Sequence, residues 1–222
     1  KLTGITKEQQ KSVLNETMCV LQKASINTTP QEIIVRMYDY IKNAYFDNDA
    51  VFDPYKELKD QSNKAVNQYF TYLESIITNA EDSLEAAVRK AAAGNIIDFG
   101  AKDHASVNIE KEIQDIPLLK FAKFDFEPLK EKLAAAKTVL YIGDNAGEIV
   151  FDRLLIRQTK RQYPDVKVIF ATRDKPVIND VTLDDACQVG LDKDAQLISS
   201  GCRYPGLMLD KASEEFLQLY KK

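Results

Sequence analysis

Apolar residues recur at helical intervals through the first part of the chain and gather into short continuous runs in the last part. Leu14, Met18 and Leu21 share one helical face, and Thr6 followed by Gln9 has the spacing of a capping box at its start. Thr29-Pro30-Gln31-Glu32 repeats that signal with proline at the first helical position, and Ile33, Met37, Ile41 and Ala44 form the next stripe. The spacing predicts two helices packed on each other. A third helix follows Asp53-Pro54, with Leu58, Ala65, Tyr69, Tyr72, Leu73 and Ile76 as its expected buried side and a break or bend near Asn79. Leu84, Ala87, Val88 and Ala91 mark a further amphipathic segment, which Gly94 would end as a left-handed cap. These residues read as bundle core, not as a cofactor-binding box.

The period then changes. Gly94-Asn95-Ile96-Ile97-Asp98-Phe99-Gly100 behaves as a junction, residues 103–108 form a polar loop containing His104, and a short helix precedes Pro117. Phe126, Leu129 and Leu133 mark another helix. The run Thr138 to Ile142 has the length and β-branched or aromatic character of a strand covered on both faces, and Gly143 ends it. A helix over 146–163 buries Ile149, Val150, Leu154 and Leu155, Pro164-Asp165 breaks it, and 166–172 is a second apolar strand. Thr182 with Asp185 resembles a helix cap, 195–199 is a third strand, and 212–220 is a last amphipathic helix. Such alternation implies a parallel sheet with helices on its faces, joined by right-handed crossovers. The expected division is a helical bundle over 1–94 and an α/β unit over 95–222.

Composition narrows the function classes. A chain of 222 residues, 45% hydrophobic, can bury a substantial core. Its net charge of −4 leaves no polybasic footprint for nucleic acid or an anionic membrane surface, so a small-molecule partner is expected. No apolar run approaches the roughly 20 residues that span a bilayer, and Lys1-Leu2-Thr3-Gly4 lacks a signal-peptide core, which places the expectation in the cytoplasm. Cys19, Cys187 and Cys202 are odd in number and widely spaced, as reduced thiols are. With His104 the only histidine, catalytic triads and histidine-rich metal sites are excluded.

The chemistry concentrates at strand ends. Asp144 and Asn145 stand where side chains leave the carboxyl end of the first strand, the ligand-binding edge of open α/β sheets. An Asp-Asn pair before a helix also serves as a cap or turn, and both readings stand at this level. Successive parallel strands deliver their terminal loops to one edge, so residues 173–180 should face this pair. Asp144, Asn145 and Asp180 would then offer three oxygen ligands to Mg²⁺ or Mn²⁺, leaving positions for water and substrate. Arg173 and Lys175 would offset phosphate charge, with the N–H groups of the helix start beside them. Asn95 and Asp98 either cap a helix or reach the same site. A competing reading takes the Gly143 to Gly147 turn for the first loop of an S-adenosylmethionine-dependent methyltransferase, with Asp174 on the ribose; a non-catalytic binding module is a third. The Asp-x-Asp pair of a haloacid-dehalogenase-type phosphatase is missing, because Ala146 takes its second position.

Three motifs in order resemble one family: Gly94-Asn95-Ile96-Ile97-Asp98-Phe99-Gly100, Gly143-Asp144-Asn145-Ala146-Gly147-Glu148-Ile149-Val150-Phe151-Asp152 and Pro176-Val177-Ile178-Asn179-Asp180-Val181-Thr182. They are similar to the damage-control phosphatases, formerly domain of unknown function eighty-nine, in their archaeal type. The resemblance implies a helical domain packed on a Rossmann-like α/β domain and metal-dependent hydrolysis of phosphate esters of small metabolites. It implies a divalent ion (Mg²⁺, Mn²⁺, Co²⁺ or Ni²⁺) on Asp144, Asn145 and Asp180. Asp98 and Glu148 would be catalytic together with Asp144, and Asn95 and Arg173 would face substrate, joined on the expected substrate side by Lys175 and Asn179 of the same loop. An early cysteine-containing segment, and a later strand followed by a lysine- and glycine-containing phosphate loop, have no counterpart in these 222 residues.

Overall fold

The computed structural model describes residues 6–46, 52–94 and 120–222. Asn95, Asp98 and His104 lie outside them. Two capped helices come first: α1 (Lys7–Lys23), whose capping box joins Thr6 and Gln9, and α2 (Pro30–Tyr45), capped by Thr29 and Glu32. They pair as the pattern requires, but through a different face of α1. Val13, Met37 and Ile41 form the shared cluster, with Val20 and Ile33 against it, while Leu14 and Met18 are 66% and 68% exposed. The Leu14–Met18–Leu21 stripe has helical spacing, yet Val13 and Val20 carry the packing, and spacing alone does not say which stripe a neighbour covers.

The expected third helix is two: α3 (Lys56–Asn67) and α4 (Phe70–Thr78). They break at Gln68–Tyr69, and Asn79 ends the second as expected. The buried side of α3 is polar. Lys59, Ser62 and Asn63 are buried with Val66, while Tyr72 of α4 is exposed. Helix α5 (Ser83–Gly94) buries Leu84, Ala87 and Ala91. Gly94 belongs to that helix and takes no left-handed cap; a Cβ there would stand 2.9 Å from the Phe151 ring, so glycine permits a close helix crossing.

Helix α6 (Phe126–Ala135) leads into strand β1 (Thr138–Ile142); α7 (Glu148–Gln162), β2 (Lys167–Thr172), α8 (Leu183–Gln188), β3 (Gln196–Ser199) and α9 (Glu214–Tyr220) follow. The three strands are parallel in the order β1-β2-β3, with Leu140 opposite Ile169 and Ala171 opposite Ile198. Central β2 is buried along nearly its whole length, whereas β1, at the edge among the described residues, is half-buried and leaves Ile142 37% exposed. Coverage on both faces therefore holds for β2 and not for β1.

Helix α7 is buried on most of its circumference because it lies between two layers. Ile149, Val150, Phe151, Leu154 and Ile156 are buried, joining Val168 and Phe170 of the sheet to Val66, Leu73, Ile77 and Ala87 of the helical layer in one cluster. Each such side chain removed from water contributes about 1.5–3 kcal/mol. The α3–α5 layer thus shares its core with the sheet, and α1–α2 has a smaller cluster of its own.

Candidate functional site

The two strand-end loops meet. After β1 the chain turns at Gly143, whose N–H reaches the Ala171 carbonyl at 3.0 Å. A Cβ on Gly143 would stand 2.3 Å from the Phe170 ring, so the turn needs glycine. Asn145 and Asp180 form an isolated antiparallel bridge. Val181 N–H donates to Asp144 O at 2.8 Å, Ala146 N–H to Asn179 O at 3.0 Å, and Arg173 N–H to Val181 O at 2.9 Å. Backbone pairing therefore carries Asp144, Asn145 and Asp180 to one place.

Arg173 is the hub of that place. Its side chain is 3% exposed and donates to Asp180 Oδ2 from Nε at 2.8 Å, to Asp144 Oδ1 from Nη2 at 3.1 Å and to Gly143 O from Nη1 at 3.3 Å. Asp180 Oδ2 also accepts the Gly206 N–H at 3.1 Å. Arg173, expected to face substrate phosphate, has its fork on the two aspartates in this structure, an arrangement that orients them. Asn145 gives its Nδ2 to Asp144 Oδ2 at 3.0 Å and to Glu148 Oε2 at 3.4 Å. In this arrangement the amide nitrogen, and not the oxygen, faces Asp144 and Glu148.

Negative charge is concentrated here. Burial pushes the Asp180 carboxyl up to about 6; Arg173 pulls it down, and Asp144 pushes it up again. Asp152, one turn into α7, is raised well above the carboxylate range by burial and then by Glu148, although Tyr141 donates a hydrogen bond to its Oδ1 at 2.6 Å. Asp144 is the accessible member, its side chain 44% exposed. Among the described residues no three carboxylate, histidine or cysteine side chains are arranged to hold an ion. The set in question is two carboxylates and an amide, all hard oxygen donors at an edge with surplus negative charge, and it suits Mg²⁺ or Mn²⁺.

The remaining expected residues separate. Lys175 is exposed on the wall of a cleft of about 510 Å³ between α2 and residues 174–184, lined also by Tyr38, Asp39, Lys42 and Arg203. Asp144, Asn145 and Asp180 do not line that cleft. Asn179 contributes its backbone carbonyl to the loop pairing. The start of α7 is not an open row of donors, because Gly147 N–H is bound by Asn63 Oδ1 at 2.7 Å and Ile149 N–H by Asn145 O at 3.3 Å. Asp174, the ribose-binding candidate of the methyltransferase reading, accepts Ser199 Oγ–H at 3.1 Å. Sequence reasoning missed Asn63, Tyr38 and Gly206. The signal for Asn63 was present, since Lys59, Ser62 and Asn63 form a polar stripe at i, i+3, i+4.

The family model of the damage-control phosphatase ARMT1-like domain matches residues 2–222. The chain belongs to this family. An uncharacterised protein of Methanocaldococcus jannaschii is 40% identical over 177 residues, 76% of this chain and 56% of the relative. A damage-control phosphatase of Pyrococcus horikoshii is 30% identical over 190 residues (86% and 62%), and one of Archaeoglobus fulgidus 34% over 171 residues (75% and 57%). The chain thus spans less than two thirds of each of these curated relatives. A crystal structure of a DUF89 family protein from Pyrococcus horikoshii superposes with a TM-score of 0.81 at 28% identity, covering 98% of this chain and 73% of that one.

Proposed function

We propose that the chain hydrolyses phosphate monoesters of small metabolites, such as sugar phosphates or damaged phosphometabolites, using a divalent ion held by Asp144, Asn145 and Asp180. The observation that carries this reading is the Asn145–Asp180 bridge, which joins loops some 35 positions apart into one oxygen-rich edge. The family membership supports it from an independent direction. When bound, Mg²⁺, Mn²⁺, Co²⁺ or Ni²⁺ supplies Lewis acidity toward a phosphate oxygen and a more acidic water. Arg173 holds the two carboxylates in register and disperses their charge before the ion arrives. Glu148, beside the Asn145 amide, is assigned to orient water. Lys175, on the wall of the neighbouring cleft, is assigned to the body of the substrate and not to its transferring phosphoryl group.

The test is hydrolysis of a generic phosphomonoester with each of the four metals, with and without chelator, on wild type and Asp144→Ala. Metal-dependent turnover that the substitution lowers by about 10²-fold or more is expected. Turnover indifferent to both chelator and substitution would remove the metal site from the mechanism.

A further inference from the structure

Two polar side chains of the helical layer take backbone N–H groups from the two loops that carry the candidate ligands. Asn63 on α3 accepts the Gly147 N–H at 2.7 Å, two positions after Asn145, and its own Nδ2 is anchored on Gln188 Oε1 at 3.2 Å. Tyr38 on α2 accepts the Ile178 N–H through its hydroxyl at 2.6 Å, two positions before Asp180. Both loops are held in conformations that need outside support. Gly147 has φ +87°, and Ile178, at φ +39°, is the one non-glycine residue with positive φ among the described residues. A β-branched residue occupies that region only where its surroundings over-determine it.

We infer that Asn63 and Tyr38 are positioning residues: acting through the Gly147 and Ile178 N–H groups, they set the placement of Asp144–Asn145 relative to Asp180, and with it the affinity of the site for a divalent cation. This rests on the metal-site reading above. It extends that reading to the helical layer, which supplies no ligand among the described residues and instead clamps the two loops that do. Asn63 is buried and reaches across 84 positions, Tyr38 across 140, so each bond joins separate elements and is not a local turn. Outer groups that hold ligands in place typically govern metal affinity by about 10–100-fold.

Two hydrogen bonds that merely held the fold together would change the melting temperature and leave cation affinity alone. The deciding measurement is therefore direct Mn²⁺ binding, by titration calorimetry and by the electron paramagnetic resonance of free Mn²⁺, well below each variant's melting temperature. The set is wild type, Asp144→Ala, Tyr38→Phe, Asn63→Leu and Gln188→Met. We expect Mn²⁺ binding that Asp144→Ala abolishes and that Tyr38→Phe and Asn63→Leu each weaken by about 10-fold or more. Gln188→Met removes the far partner of Asn63 but keeps its bond to Gly147, and should change affinity by less than about 3-fold. Should Asn63→Leu fail to fold, Tyr38→Phe, which keeps the ring, decides alone. Asp144-dependent binding that the folded Tyr38→Phe and Asn63→Leu proteins retain undiminished overturns this inference and leaves the metal site standing. Mn²⁺ binding that is absent, or independent of Asp144, brings down both.

Discussion

Replacing Arg173 by methionine strands two carboxylates that share its guanidinium. Arg173 and Asp180 are each 3% exposed, so their pair is buried, and deleting one partner of such a pair costs about 3–5 kcal/mol. The half-exposed Asp144 adds little to that figure. The deficit should depend on pH with a definite sign. In wild type the Asp180 carboxyl is raised from 3.8 to about 6, so its contribution falls as pH rises through that interval and is level above it. Without Arg173, which lowers that value, the folded carboxyl rises further, and stability continues to fall above pH 6. Urea unfolding of Arg173→Met with chelator present should therefore show a larger deficit at pH 8 than at pH 5, and Arg173→Lys should recover only part of it, since a compact ammonium cannot reproduce the planar fork that reaches both carboxylates and the Gly143 carbonyl from separate nitrogens. A variant within about 0.5 kcal/mol of wild type at pH 8 would contradict the assignment. At this scale the meeting of Asp144 and Asn145 with Asp180 was legible, because all three follow the carboxyl ends of parallel strands and topology brings those ends together. The bonds of Arg173 to Asp144, Asp180 and Gly143 were not legible, because position in a loop does not reveal that a guanidinium turns inward.

Among the elements, capping boxes and strand runs were the most readable features, because Thr6, Thr29 and Thr182 act on groups three residues away. Which face of a helix is buried was less so. The apolar stripe of α1 is largely exposed, and α3 buries a lysine, a serine and an asparagine, since tertiary partners and not spacing choose the inner face. Gly143 illustrates a contact between elements that only packing reveals: β1 ends against the Phe170 ring of β2, with Tyr141 stacked on the same ring at 5.6 Å. Gly143→Ala should cost about 1–3 kcal/mol through overpacking. In a Phe170→Leu background the added methyl finds space, so the same substitution should cost at least about 1 kcal/mol less, a non-additivity readable in a double-mutant cycle of denaturant midpoints. Additive effects would show that Gly143 is needed for its backbone and not for room beside the ring.

At the scale of the whole molecule, one core joins α3–α5 to the sheet, while α1–α2 rests on a few apolar residues and such polar ties as the Tyr38–Ile178 bond and the Arg203–Asp39 pair. Lys59 reinforces the larger unit. It is completely buried and bridges Asp53 Oδ2 and Asp185 Oδ2 at 2.7 Å each, and Asp185 also caps α8 through Thr182. Removing that ammonium leaves two buried carboxylates unpaired, at about 3–5 kcal/mol. Native-state hydrogen exchange can separate the two units, since segments that open locally exchange without global unfolding. Amides of α1 and α2 should be the less protected in wild type, and Lys59→Met should leave their rates nearly unchanged. In α5, α7 and β2, which exchange only when the shared core opens, the same substitution should raise rates by about 10²-fold, the factor that 3 kcal/mol implies. Equal protection of α1 and α7, or equal acceleration of both by Lys59→Met, would mean that the first two helices belong to the same cooperative unit as the sheet. The Tyr38 tie would then hold as firmly as the core itself, and the loop carrying Asp180 would have no softer side from which to open.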